Sequence, residues 1–132
     1  MSFIIAVDYD GTLFEGSFPE LGAPKRDVID KVMRFKKHGA EIVLWTCRES
    51  GSLDEAIDRC DEEGLIFDAI NSNAPSQIEY MQKMLEKGEV FATKKIYADI
   101  YVDDRAPGSI DFFLSIDVEK TCENYEDRSE KA

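Results

Sequence analysis

Two aspartates separated by one residue, Asp8 and Asp10 in Val7-Asp8-Tyr9-Asp10-Gly11-Thr12, carry the densest chemistry of this 132-residue chain. Carboxyls this close can divide labour, one attacking an electrophile as nucleophile while the other passes protons as acid and base. Further along stand Thr46, the lysines Lys94 and Lys95, and the acid pair Asp103-Asp104. The set offers a nucleophile, an acid/base, a hydroxyl, a cation and the hard oxygen donors that suit magnesium. Carboxylates gathered in one cavity raise each other's pKa, and a bound dication reverses that effect.

Three of these features follow apolar runs. Phe3-Ile4-Ile5-Ala6 leads into Asp8, Ile42-Val43-Leu44-Trp45 into Thr46, and Ile100-Tyr101-Val102 into Asp103. Such runs suit parallel strands covered on both faces, and ligands bind beyond the carboxyl ends of these sheets. Asp8 and Asp10, two residues apart, can face one cavity. Gly11 lets the backbone approach a ligand closely. Between the strands, Val28, Ile29, Val32 and Met33 predict a first helix, with Pro24 suited to its first turn and Gly39 as its stop. Leu53, Ala56, Ile57 and Cys60 predict a second, opened by a capping box of Ser52 and Glu55. Residues 66–70 predict a third strand. A third helix follows over about 75–87, with Ser76 and Glu79 as its capping box and Ile78, Met81 and Leu85 as its apolar face. Residues 96–102 predict the fourth strand, and 110–116 a fifth strand or the start of a helix. Strands alternating with helices predict an α/β fold, a doubly wound three-layer sandwich with a mainly parallel sheet. Residues 1–122 read as one domain, and the polar stretch 123–132 as a frayed tail.

The ordered set of Asp8-Tyr9-Asp10-Gly11-Thr12, the strand-final Thr46 and the strand-final Asp103-Asp104 resembles the haloacid dehalogenase superfamily of phosphohydrolases, in its compact, capless form. The resemblance spans about residues 3 to 107 and implies a Rossmann-like fold. It also implies magnesium-dependent hydrolysis of a phosphoester through an aspartyl-phosphate on Asp8, with Asp10 as acid and base. An acid at position 10 favours phosphate transfer over dehalogenation. The backbone around Asp10 and Gly11, the Thr46 hydroxyl and a lysine would hold the phosphoryl oxygens. Lys95 is preferred to Lys94 because it adjoins Ile96 at the strand entrance, although many members carry this lysine farther upstream of the acid pair. The family pattern puts the Asp8 carboxylate, the Asp10 carbonyl and Asp103 on the metal, with Asp104 binding through water or orienting a ligand. Loops 13–24 and 47–52 would shape the entrance. Val102-Asp103-Asp104-Arg105 is also similar to the phosphatase half of polynucleotide kinases.

Arg48 and Asn71 are candidate substrate contacts. Each also has a plainer reading, Arg48 as a surface ion pair with Glu49 and Asn71 as a turn former. Trp45 reads as core, Cys47 as a small buried hydrophobe and His38 as a helix-end residue. Cys47, Cys60 and Cys122 are odd in number and widely spaced, which fits reduced thiols. A net charge of −12 disfavours nucleic acid as a partner, though a terminal phosphate stays possible. The length leaves no room for a large cap. A small phosphorylated substrate is the expected partner, and the resemblance implies that such minimal members either take large or terminal phosphoesters or use a neighbouring subunit as lid, which leaves a homo-oligomer open. No run is long enough for a membrane span, and a cytoplasmic location is expected. A non-catalytic phosphoacceptor or phosphate-binding regulatory module is the alternative. Receivers, which carry similar residues, place the acid pair after the first strand, whereas here it comes last.

Overall fold

A computed structural model describes residues 2–91 and 93–131, with 126–131 described by their backbone only. Four parallel strands, β1 (Ile4–Val7), β2 (Glu41–Leu44), β3 (Ala69–Ile70) and β4 (Ile100–Val102), form one sheet in the order β3-β2-β1-β4. Helices α1 (Arg26–Lys37), α2 (Ser50–Glu62), α3 (Pro75–Glu86), α4 (Ser109–Ser115) and α5 (Val118–Lys131) complete a Rossmann-like α/β architecture. Side chains of β1 and β2 alternate between two apolar layers, as the pleat requires. Ile5, Val7, Ile42 and Leu44 join Val28, Val32 and Phe35 of α1, Ala56 and Cys60 of α2, Phe113 of α4 and Val118 of α5. Ile4, Ala6 and Val43 face a smaller layer of Ala74, Ile96 and Ala98.

β1 is central because all four of its residues are apolar and buried, so neither face needs water. β2 and β4 flank it, with Val7 in register with Leu44 on one side and Val102 on the other. The chain runs from β1 outward through β2 to β3, then returns to the other side of β1. That reversal opens a crevice at the carboxyl ends of β1 and β4.

Both outer strands are shorter than the apolar runs predict, for one shared reason. The Asp99 carboxylate accepts the Ile4 N–H at 2.8 Å, and the Asp99 N–H donates to the Ile4 carbonyl at 2.8 Å. The Asp68 carboxylate likewise accepts the Ile42 N–H at 2.7 Å while its own N–H donates to the Ile42 carbonyl at 2.8 Å. A side chain thus takes the place of a ladder partner, and the preceding residues leave the sheet. The predicted capping boxes are absent too. Glu49, not Ser52, is the N-cap of α2, and the Ser52 hydroxyl donates to the Glu49 carbonyl. At α3, Pro75 holds the first turn, and Glu41 of β2 accepts from the Ser76 N–H and hydroxyl. Pro24 lies outside α1, bridging antiparallel to Phe14, and Lys25 is the N-cap. The predicted apolar face of α3 is turned largely outward, since Ile78 and Leu85 are exposed. Of residues 110–116, all but the extended Ile116 are helical, and the α5 backbone is helical as far as Lys131 in the stretch expected to fray. Among the described residues, no helix is long and apolar enough to cross a membrane.

Candidate active site

Parallel pairing puts Asp8 and Asp103 side by side. The Asp8 N–H donates to the Val102 carbonyl at 3.0 Å, so the first residue past β1 is tied to the last residue of β4. Asp8, Asp103 and Asp104 each offer a carboxylate oxygen within 4.8 Å of the others. Burial pushes the Asp8 carboxyl up to about 7. The charges of Asp103, Asp104 and Asp10 add to this, and the Tyr9 N–H, donating to Asp8 Oδ1 at 2.8 Å, works against it. Asp104 is also raised, first by desolvation and then by Asp103. Three crowded oxygen donors whose own charges oppose one another fit a hard divalent cation such as magnesium.

Gly11 makes the crowding possible. Its φ is +75°, and a Cβ there would stand 2.3 Å from Asp104 Oδ2. Only glycine lets that carboxylate lie against the loop. Gly11's expected phosphate contact is not supported through its amide, because that N–H already donates to the Phe14 carbonyl at 2.8 Å. Thr12, fully buried, secures Asp104 from the other side by accepting its N–H at 3.0 Å. Its place in the motif was visible in the sequence, but a hydrogen bond across 92 residues has no local signature.

Asp10 lies in the same cavity, yet its carboxylate belongs to Arg48. Nε donates to Oδ2 at 2.8 Å and Nη2 to Oδ1 at 2.7 Å, the side-on fork of a strong guanidinium pair. Arg48 is buried, which sets aside the surface pair with Glu49, and it lines a second cavity beside Asp10. It also donates to the carbonyls of Glu20 and Ser52 and lies over the Tyr9 and Phe18 rings at 4.9 and 5.4 Å. The bond to Asp10 raises the Arg48 pKa. One side chain thus fastens the acid, the loop 13–24 and the start of α2 together.

Asp8, Asp10, Trp45, Thr46, Asp103 and Arg105 line a cavity of about 430 Å³, with Gly16 and Ser17 of the first loop at its edge. Thr46 is steadied by its N–H donating to Asn71 Oδ1 at 2.8 Å, so Asn71 supports a site residue instead of lining the cavity. Asn71 itself sits at φ +51°, which asparagine tolerates. Trp45 is 37% exposed because the ladder ends at Leu44, and Cys47 is exposed as well, contrary to the core readings of both. Cys47 and Cys60 are free thiols.

Lys95 is not brought to this site. It precedes the start of β4, and the starts of parallel strands lie at the opposite end of the sheet from Asp8. There its ammonium sits 5.2 Å from the Tyr101 ring centroid. Arg105, two residues past Asp103 and donating its N–H to Asp103 Oδ1 at 2.9 Å, is the cation that lines the cavity. Lys25 is a second cation nearby, its ammonium 3.3 Å from the Gly11 carbonyl.

No protein-family model matches the chain, and no curated protein matches it. Among solved structures it is similar to one described as the conserved protein coded by locus from Bacteroides thetaiotaomicron. The two share 30% sequence identity with a TM-score of 0.66, over 97% of this chain and 93% of the other.

Proposed function

Since this chain belongs to the family of that conserved Bacteroides thetaiotaomicron protein, whose description names no activity, we propose from its own site that it is a magnesium-dependent phosphohydrolase of haloacid dehalogenase type. The carrying observation is the Asp8, Asp103 and Asp104 cluster at the carboxyl ends of β1 and β4, with Asp10 in the same cavity.

Asp8 is the nucleophile. One of its oxygens bonds to phosphorus as the ester P–O bond breaks, and the electron pair leaves on the alcohol oxygen, which takes a proton from Asp10. Water then gives a proton back to Asp10 and attacks the phosphorus, the bond to Asp8 breaks, and inorganic phosphate leaves. Asp10 makes both transfers on turning its carboxyl out of the Arg48 fork, because the pair itself favours the ionised form. Thr46 and Arg105 hold the transferred oxygens, work that dominates phosphoryl transfer. Asp8, Asp103 and Asp104 would hold magnesium, joined by the Asp10 carbonyl. Bound magnesium would polarise the phosphoryl group and offset the clustered carboxylates. Phenyl phosphate hydrolysis by the purified chain tests the reading. Turnover that requires magnesium and stops with chelator is expected, and equal rates with and without the metal would contradict it.

A further inference from the structure

We infer that a second cavity, on the far side of Asp10, is the leaving-group subsite of this enzyme and accepts the flat, uncharged alcohol of an aryl phosphate monoester. The inference rests on the phosphohydrolase reading. Its cavity, about 530 Å³, is bounded by Asp10, Phe18, Cys47, Arg48, Glu49 and Ser52. Asp10 and Cys47 are shared with the cavity that holds Asp8 and the acid pair.

The geometry assigns the two halves of a monoester. In the reaction, Asp10 must reach the ester oxygen, the single atom that joins phosphoryl group to alcohol. With the phosphoryl half on the Asp8 side, the alcohol extends past Asp10, into the second cavity. Its volume falls within the range of sites for small organic ligands.

Its lining selects the chemistry. Phe18 is 61% exposed with the Arg48 guanidinium over its ring, and its open aromatic surface is one on which a planar group can stack. The Arg48 charge is taken up by Asp10 through both of its oxygens. That leaves the carboxylate of Glu49, exposed at the N-cap of α2 and making no side-chain cap bond, as the uncompensated charge of the lining. An alcohol bearing its own carboxylate or phosphate would meet Glu49 and, beyond it, a chain of net charge −12.

The test compares kcat/KM for phenyl, carboxyphenyl and methyl phosphate in magnesium, each variant against wild type so that intrinsic ester reactivity cancels. Phe18→Ala is expected to lower the phenyl-to-methyl ratio about fivefold, the scale of one aromatic contact, and Phe18→Trp to retain it. Glu49→Gln is expected to raise the carboxyphenyl-to-phenyl ratio severalfold. A phenyl-to-methyl ratio unmoved by Phe18→Ala, or a carboxyphenyl-to-phenyl ratio unmoved by Glu49→Gln, would overturn the subsite while leaving the phosphohydrolase standing. Absence of wild-type turnover with all three esters would overturn both.

Discussion

At the scale of single residues, the site keeps a carboxylate where water would not put it. Asp8 is the most perturbed of the acidic cluster, with burial raising its carboxyl from 3.8 to about 7. Because the folded state holds this proton more tightly than the unfolded chain, the contribution of Asp8 to stability is greatest below about pH 3.8. It declines as pH rises through that window and is gone above about pH 7. In metal-free protein above pH 7, Asp8→Asn should therefore stabilise the fold by about 1–2 kcal/mol, a figure reduced for solvent screening of a half-buried group. The same substitution should abolish turnover. Urea melts of both proteins across pH, with and without magnesium, check this, and magnesium should stabilise wild type far more than the variant. Equal melts throughout would mean that Asp8 bears no such burden. Gly11→Ala should act in the opposite sense. Its Cβ would force Asp104 aside and strain a left-handed backbone, costing about 1–3 kcal/mol in a urea melt and weakening magnesium affinity by calorimetry. A variant as stable as wild type would show that Asp104 need not lie where it does.

At the scale of elements, the site is the meeting of two strand ends, and what the sequence revealed divides along that line. Asp8, Thr46 and Asp103 were legible because each follows an apolar run, and an apolar run in an alternating strand–helix chain states both its burial and which end faces the crevice. Lys95 precedes a strand, and a strand entrance lies at the end of a parallel sheet opposite the crevice, which is why it does not reach Asp8. Arg48 is a candidate substrate contact in the sequence, and its burial against Asp10 is what the sequence does not show. Its fork to Asp10 spans 38 residues and leaves no periodic trace. The strand starts were misjudged because Ile66 and Ile96 look like strand residues, while Asp68 and Asp99 decide the matter by replacing ladder partners with carboxylates. Removing such a partner leaves the Ile4 N–H unmatched beside a fully buried strand. Asp99→Ala should cost about 1–3 kcal/mol in denaturant midpoint at constant m. No change in midpoint would mean that another acceptor takes over.

At the scale of the whole molecule, an acidic chain carries an acidic site. A net charge of −12 repels polyanions, and Gly16 and Ser17 of the first loop with Cys47 before α2 border the cavity. The alternative, a module that binds phosphate without turnover, uses the same fold and residues, so only chemistry separates the two. The central claim is that Asp8 forms a covalent bond to phosphorus. Asp10→Asn keeps the nucleophile but removes the proton carrier of both steps; phenol leaves with less proton help than water needs to attack, so the intermediate should form slowly and accumulate. Asp10→Asn protein mixed with magnesium and phenyl phosphate, quenched in acid and examined by peptide mass spectrometry, is predicted to carry one phosphoryl group on the peptide containing Asp8, with release of stoichiometric phenol. Phenol released catalytically by wild type, with no phosphoryl group on Asp8 in Asp10→Asn or with the group on another residue, would contradict the account.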